Sequence, residues 1–189
     1  MKLFNRLKYS TSAATLVAAV AIAGSPVALA NEIELGISNE LIELNLEQGY
    51  RDDFSGRFGL MFADEDDLGS KQLSYRFVTE DRVDQFDVQL GAQLYWLDVE
   101  DEDGFGVSLG VAAARQLDGK LGLAGSIYYG PDILTVGDFE NTLELDLKLN
   151  YQLLENGALF LGYRSYEAET DDDDFDVYDD FYLGVRFSY

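Results

Sequence analysis

Carboxylates are the side chains of this sequence best suited to do chemistry, and many of them are concentrated in acidic runs. The runs are residues 64–67, 98–103 and 171–180. A calcium-binding EF-hand loop needs a glycine at its sixth position and a glutamate at its twelfth. Gly69 and Gly104 fit the glycine position, but the twelfth residues are Tyr75 and Gly110. The pattern therefore favours solvated acidic loops over an EF-hand.

Diffuse capture of divalent cations is the second interpretation of the acidic runs. Carboxylates bind Mg²⁺ and Ca²⁺ through oxygen, and cations held in this way would bridge to the phosphates of a lipid leaflet. The candidates lie in the densest run and are Asp171, Asp172, Asp173 and Asp174. The sequence contains no cofactor-binding motif that we recognise, so we expect no cofactor.

The sequence has no histidine and no cysteine. Outer-membrane enzymes of this size use a serine or threonine nucleophile with a histidine base, and that base is missing here. We therefore expect a protein that is not an enzyme, and we retain an outer-membrane enzyme as a distant alternative. After Ala30 the chain carries ten basic and thirty-six acidic residues, a net charge of −26, which opposes binding to nucleic acid.

A second set of charged residues alternates with apolar residues along the chain. The set is Arg57, Arg76, Asp87, Glu144, Asp146, Lys148, Arg164 and Arg186. Period-two alternation places all of these charges on one face of β-strands. In a closed barrel of eight to ten strands they would face the interior, where two arrangements are open. They pair across the interior and fill it, or they line a narrow, cation-selective pathway for ions.

The alternation extends over ten segments, which predicts ten antiparallel strands, with eight as the second possibility. Leu143, Leu145, Leu147, Leu149 and Tyr151 show it clearly, since a helix could not place them on one face. Connections alternate between short ones and longer, mostly acidic ones such as residues 98–104, 131–138 and 167–177. This asymmetry is typical of an up-and-down transmembrane β-barrel with an even strand count and both termini in the periplasm.

Aromatic residues cluster near both ends of the predicted strands, as expected for a barrel with an aromatic ring at each membrane interface. One set is Tyr50, Phe54, Phe77, Phe86, Tyr151, Phe187 and Tyr189, and the other is Phe62, Trp96, Phe105, Tyr129, Phe139 and Phe181. The alternative is a soluble β-barrel or sandwich with its apolar face inward. It would need long charged side chains on the other face, whereas three central strands have mainly Gly, Ala, Ser and Gln there.

The beginning and the end of the chain predict export and membrane assembly. Residues 1–30 contain early basic residues, an apolar stretch and the ending Ala28-Leu29-Ala30, which predicts a cleaved signal peptide. The mature protein is then a single domain, residues 31–189. The chain ends in an alternating strand, and we expect the barrel-assembly machinery to recognise its insertion signal, Tyr182, Gly184, Phe187 and Tyr189.

Several motifs resemble those of the YfaZ family of small outer-membrane proteins of Gram-negative bacteria. They are the opening segment EIELGISNELIELNL, IYYGPD before an outer loop, LGYRSY, and the ending LGVRFSY. The resemblance implies an integral outer-membrane β-barrel with a porin-like role. Three functional expectations remain in order: a narrow channel with acidic external loops, a closed structural or surface-interaction barrel, and an enzyme. The expected partners are outer-membrane lipid, the assembly machinery and divalent cations.

Overall fold

The computed structural model describes residues 31–189, apart from residues 52, 66–67, 101 and 171–172. The predicted signal peptide, residues 1–30, lies outside the described residues. The described residues form eleven strands: β1 Glu32–Ile37, β2 Leu41–Arg51, β3 Phe54–Glu65, β4 Leu68–Val83, β5 Phe86–Val99, β6 Glu102–Asp118, β7 Leu121–Gly130, β8 Thr135–Gly137, β9 Phe139–Leu154, β10 Gly157–Thr170 and β11 Asp174–Ser188. Among the described residues, no helix is long and apolar enough to cross a membrane.

Ten of these strands close into an antiparallel up-and-down barrel, which confirms the predicted fold class. The order is sequential from β1 to β7, continues through β9, β10 and β11, and returns to β1. Closure pairs Ile33 with Phe187 and Leu35 with Val185, so the last strand joins the first. The additional strand, β8, pairs with the start of β6 at the end of the barrel opposite residues 31 and 189, which we call the outer end.

The two faces of each strand follow the predicted alternation. On β5, Leu90 and Leu94 are exposed on the outer surface, whereas Gln93, Tyr95 and Leu97 are buried inside the barrel. Phe160 on β10 breaks the apolar pattern of its strand because its ring points into the interior, against the backbone of Gly184. A Cβ atom on Gly184 would collide both with that ring and with the carbonyl oxygen of Leu35.

The strands extend farther at the outer end than the sequence pattern indicated. Residues 64–65, 68–70, 98–99 and 102–104 were expected in acidic loops, but they continue the ladders of β3 to β6, with Ser70 opposite Val99. We define the outer section as the barrel wall beyond Trp96. In this section apolar side chains face the interior and charged side chains face outward, the reverse of the rest of the barrel. Val99 is fully buried inside, whereas Asp98 pairs with the exposed Lys71 on the outside.

Phe139 was predicted to belong to the outer aromatic ring, and this prediction is wrong. It is buried inside the barrel at the beginning of β9, where its ring lies beside the place that a Cβ atom on Gly104 would occupy. The pairing of β9 with β10 shifts register between Glu169 and Thr170, which brings Phe139 onto the interior face. A bulge of this kind reverses the alternation locally and is not encoded in a period-two pattern.

Candidate functional site

The barrel interior contains a polar cavity of about 420 Å³. Small side chains of β6 and β7, including Ala112, Ala114, Ala124 and Ser126, form one wall. Charged side chains from the remaining strands form the opposite wall. Residues at the end of β4 and the beginning of β5, such as Glu80, line the cavity mouth, so the cavity opens toward the end of the barrel where residues 31 and 189 lie.

Arg164 is the centre of the charged wall. Its Nη1 lies 2.7 Å from Glu43 Oε2 on β2, and its Nη2 lies 2.6 Å from Asp146 Oδ2 on the neighbouring strand β9. Tyr182 donates a hydrogen bond of 2.7 Å to the same Asp146 oxygen. All four side chains are buried, and a buried cation with two carboxylate partners is strongly held because its alternative is an unpaired charge.

A second ion-pair group connects the closure seam to β9. Lys148 Nζ lies 2.5 Å from Glu34 Oε1, and Arg186 Nη2 lies 2.6 Å from Glu34 Oε2. Glu34 is therefore shared by a cation on the opposite wall and one on the adjacent strand. Arg186 also lies 3.3 Å from Glu32, closer to the end of the barrel where residues 31 and 189 lie. These contacts stabilise the first and last strands together from the inside.

Two further arginines face the cavity side by side, since Arg57 and Arg76 are directly paired across β3 and β4. Like charges in this position repel each other unless each is neutralised. Arg57 donates hydrogen bonds to Glu47, and Arg76 donates to Gln93 and lies 3.4 Å from Glu144 across the interior. The Arg76 guanidinium also stacks 3.8 Å from the centre of the Tyr128 ring.

An apolar cluster fills the interior on the outer side of the cavity, and we call it the outer core. It consists of Leu41, Met61, Ala63, Tyr95, Leu97, Val99, Phe139, Phe160, Tyr166, Ala168, Val177, Tyr178 and Tyr182. Leu97, Val99 and Tyr178 have no exposed surface. Strands β2, β3, β5, β9, β10 and β11 contribute to it, so the outer core joins distant parts of the barrel wall across the interior.

Hydrogen bonds across the interior hold the outer core in place. Gln72 on β4 donates a 2.9 Å hydrogen bond to the hydroxyl of Tyr166 on β10. Thr142 on β9 donates to the hydroxyl of Tyr95 on β5 over 3.1 Å. Neither pair of strands is adjacent in the sheet, so these bonds span the space through which a solute would have to pass.

The eight charged residues singled out in the sequence all line the cavity, but they do not form one cluster. Seven belong to the paired groups above, whereas Asp87 lies at the cavity mouth and pairs with exposed Arg82 at 2.9 Å. The prediction of these sites did not include Glu34, which forms ion pairs with two cations, or Gln72 and Tyr166, which are hydrogen-bonded across the interior. Glu34 and Gln72 stand at interior parity, so the alternation could have identified them.

The acidic segments remain without an assigned ligand. Asp171 and Asp172 lie outside the described residues, and Asp173 and Asp174 are exposed at the outer end. Within the described ranges, no group of three or more acidic side chains is arranged to hold a metal ion. The capture of divalent cations by these loops stays a prediction.

The four residues of the proposed insertion signal lie on β11 and divide between its two faces. Phe187 and Tyr189 are exposed on the outer surface, at the end of β11. Tyr182 is buried inside and bound to Asp146, and Gly184 lies beneath Phe160. In the folded barrel, therefore, Tyr182 and Gly184 also have packing roles, whereas recognition during assembly stays a prediction.

Comparison with known proteins adds a family and a fold. A family model described as YfaZ precursor matches residues 8–189. A bacterial polysaccharide outer membrane secretin is 11% identical with a TM-score of 0.50, over 79% of this chain and 56% of that one. This chain thus spans little more than half of the secretin. No curated protein sequence matches the chain.

Two other solved structures are similar at lower TM-scores. The KdgM porin is 10% identical with a TM-score of 0.47, covering 84% of this chain and 98% of that one. OmpT of Vibrio cholerae is 14% identical with a TM-score of 0.41, covering 88% and 59%. Identities this low describe the barrel fold alone.

Proposed function

The chain belongs to the YfaZ family, and we propose that it is an integral outer-membrane barrel whose interior is closed toward the cell exterior. It serves as a structural or surface-interaction protein that presents an acidic outer section to the medium. Its polar cavity is a cup filled from the periplasm, and it is not a diffusion pore.

The outer core is the observation that carries this proposal. Leu97 and Val99 have no exposed surface, and the hydrogen bond from Gln72 to Tyr166 joins opposite walls. Protein interiors packed in this way contain few voids large enough for water. An ion moving outward from the cavity would therefore have to cross an apolar, filled layer.

The proposal includes an orientation and a route of assembly. Both termini lie in the periplasm, since the strand count of the barrel is even, and the acidic segments face the medium. Residues 1–30 direct export and are removed, and the barrel-assembly machinery recognises the ending Phe187 and Tyr189. The exposed leucines and aromatic rings of the outer surface then contact lipid.

Conductance measurements test the closed state. The refolded protein in a planar lipid bilayer is expected to show no steady single-channel conductance, because the outer core blocks the interior. Phe181→Ala, which removes an aromatic ring from the lipid-facing surface, is the matched control and should remain silent as well.

A variant with an opened interior is the positive control for the absence of conductance. Tyr166→Ala combined with Tyr178→Ala removes two large buried side chains from the outer core, and ion conductance should appear. Both proteins are checked for heat-modifiable migration to establish that the barrel has formed. Steady conductance of the unaltered protein would contradict the closed-barrel proposal.

A narrow channel is the second candidate, and the charged cavity favours it. Seven acidic and five basic side chains line the cavity, so a path that opened through the outer core would favour cations. The same recording separates the two candidates, since conductance of the unaltered protein with cation preference supports the channel. No enzymatic activity is part of either proposal.

A further inference from the structure

One outer connection differs from the acidic ones because it exposes apolar side chains. It runs from Pro131 to Gly137 and contains a 3₁₀ turn, Asp132–Leu134, followed by strand β8. Ile133 is 87% exposed and Val136 is 75% exposed. Apolar side chains with this exposure in an outer loop are unfavourable in water and indicate a contact with an apolar partner.

The connection has a defined conformation, and it is attached to the outer surface of the barrel. Leu134 N donates to the carbonyl oxygen of Pro131 over 2.8 Å. The side-chain oxygen of Asn141 accepts from the Asp132 amide over 3.2 Å and from the Tyr129 hydroxyl over 2.9 Å. Since Tyr129 belongs to the outer aromatic ring, the turn is held at the height of that ring.

Val136 continues the lipid-facing surface directly. It pairs with Phe105 across β8 and β6, and cross-strand partners share a face of the sheet. The Phe105 ring lies 6.5 Å from the ring of Trp96, and both belong to the outer aromatic ring. Leu109 lies four residues farther along β6 and is also exposed on this surface.

We propose that the connection 131–137 lies against the outer leaflet, with Ile133 and Val136 in contact with acyl chains. The inference rests on the proposed outer-membrane location of the barrel, and it adds a specific lipid-binding loop to that location. Lipid is favoured over a second copy of the chain because two exposed side chains supply far less than the roughly 800 Å² per partner of a standard protein interface.

The single tryptophan of the chain allows a direct test. Ile133→Trp in a Trp96→Phe background places the single tryptophan of the variant in the loop. Asn39→Trp in the same background is the control, because Asn39 lies in the exposed hairpin between β1 and β2. Each variant is refolded into phosphatidylcholine vesicles with brominated or unmodified acyl chains, and quenching is also measured with aqueous iodide.

We expect brominated lipid to quench the tryptophan at position 133 about as strongly as native Trp96, and iodide to quench it weakly. The control at position 39 should show the reverse. Strong iodide quenching at position 133 would place the loop in water and overturn the inference. Protection from both quenchers would indicate a protein partner and would overturn it equally.

Native Trp96 separates this result from the membrane proposal. If brominated lipid quenches Trp96 but not the tryptophan at position 133, the barrel is in the membrane and only the loop inference fails. If Trp96 itself is not quenched, the proposed membrane location fails. Heat-modifiable migration shows that each variant has folded.

Discussion

At the scale of single residues, Arg164 shows why the interior of this barrel can carry many charges and remain folded. Moving a charged side chain out of water costs several kcal/mol, and a partner at hydrogen-bonding distance offsets this cost. Arg164 has two such partners, Glu43 and Asp146, and Tyr182 donates to the same oxygen of Asp146. The charges are therefore interdependent, and the loss of one leaves the others uncompensated.

Replacing Arg164 with alanine should destabilise the barrel strongly. The change leaves two buried carboxylates without their common cation, which costs about 3–5 kcal/mol for buried pairs. The free energy of unfolding is measured by urea titration of the refolded protein in detergent micelles.

Lys71→Ala is the control for that experiment, because it removes a cation from an exposed pair with Asp98. Exposed ion pairs contribute about 1 kcal/mol or less, so this variant should stay close to the unaltered protein. Equal losses for the two variants would show that burial of the Arg164 network does not determine its energy.

The sequence predicted the face on which these residues lie but not their partners. Period-two alternation places Arg164 and Lys148 inside any barrel built from these strands. Which carboxylate each one meets across the interior depends on the strand stagger and the barrel diameter, and neither is written in a single strand. The partnership of Lys148 with Glu34, 114 residues away in sequence, therefore needed the structure.

At the scale of strands, the closure between β1 and β11 depends on close approach of the backbone. Gly184 lies opposite Gly36 in this pairing, with the Phe160 ring packed on its interior face. The ring fills the space that a side chain at position 184 would occupy. An aromatic ring packed over glycine in this way fixes the register of the seam.

Gly184→Ala should weaken the closure of the barrel. The added methyl group would collide with the carbonyl oxygen of Leu35, so the backbone must shift as well as the ring. Overpacking of this kind costs about 1–3 kcal/mol. Gly69→Ala is the matched control, since nothing lies within 4 Å of the place that its new methyl group would occupy, and the unfolding free energies of both variants decide the point.

The existence and pairing of the ten barrel strands followed from the sequence, but their lengths and the short strand β8 did not. The acidic runs were predicted to be loops because their polar side chains do not resemble a lipid-facing strand. Residues such as Asp98 and Glu167 nevertheless continue the ladders, since their neighbours Leu97 and Ala168 are buried inside. The acidic runs therefore keep the period-two alternation of a strand, but their apolar side chains face the interior and their charged side chains face outward.

At the scale of the whole molecule, that exchange divides the barrel into two sections. In the membrane-level section, leucines face outward and ion pairs face inward. In the outer section, carboxylates face outward and the apolar outer core faces inward, as in a water-soluble barrel. The carboxylates of the acidic runs thus form the water-exposed surface of the outer section.

The boundary and the orientation can be mapped with single cysteines, because the chain contains none. In intact cells, Asp98→Cys should react with a membrane-impermeant maleimide, whereas Leu94→Cys, on the same face of β5, should be protected by lipid. Asn156→Cys, in the turn between β9 and β10, should react only after the outer membrane is permeabilised. Labelling of Asn156→Cys in intact cells would reverse the proposed orientation.

The outward-facing apolar stretch of β5 also determines the hydrophobic thickness of the barrel. From Phe86 to Trp96 it covers ten residue steps, and at about 3.4 Å per step and a tilt of about 40° this spans roughly 26 Å along the membrane normal. Asp98 follows immediately beyond it. The hydrophobic thickness of the protein therefore matches a thin bilayer, and refolding should be most efficient in lipids with short acyl chains, where neither bilayer nor barrel must deform.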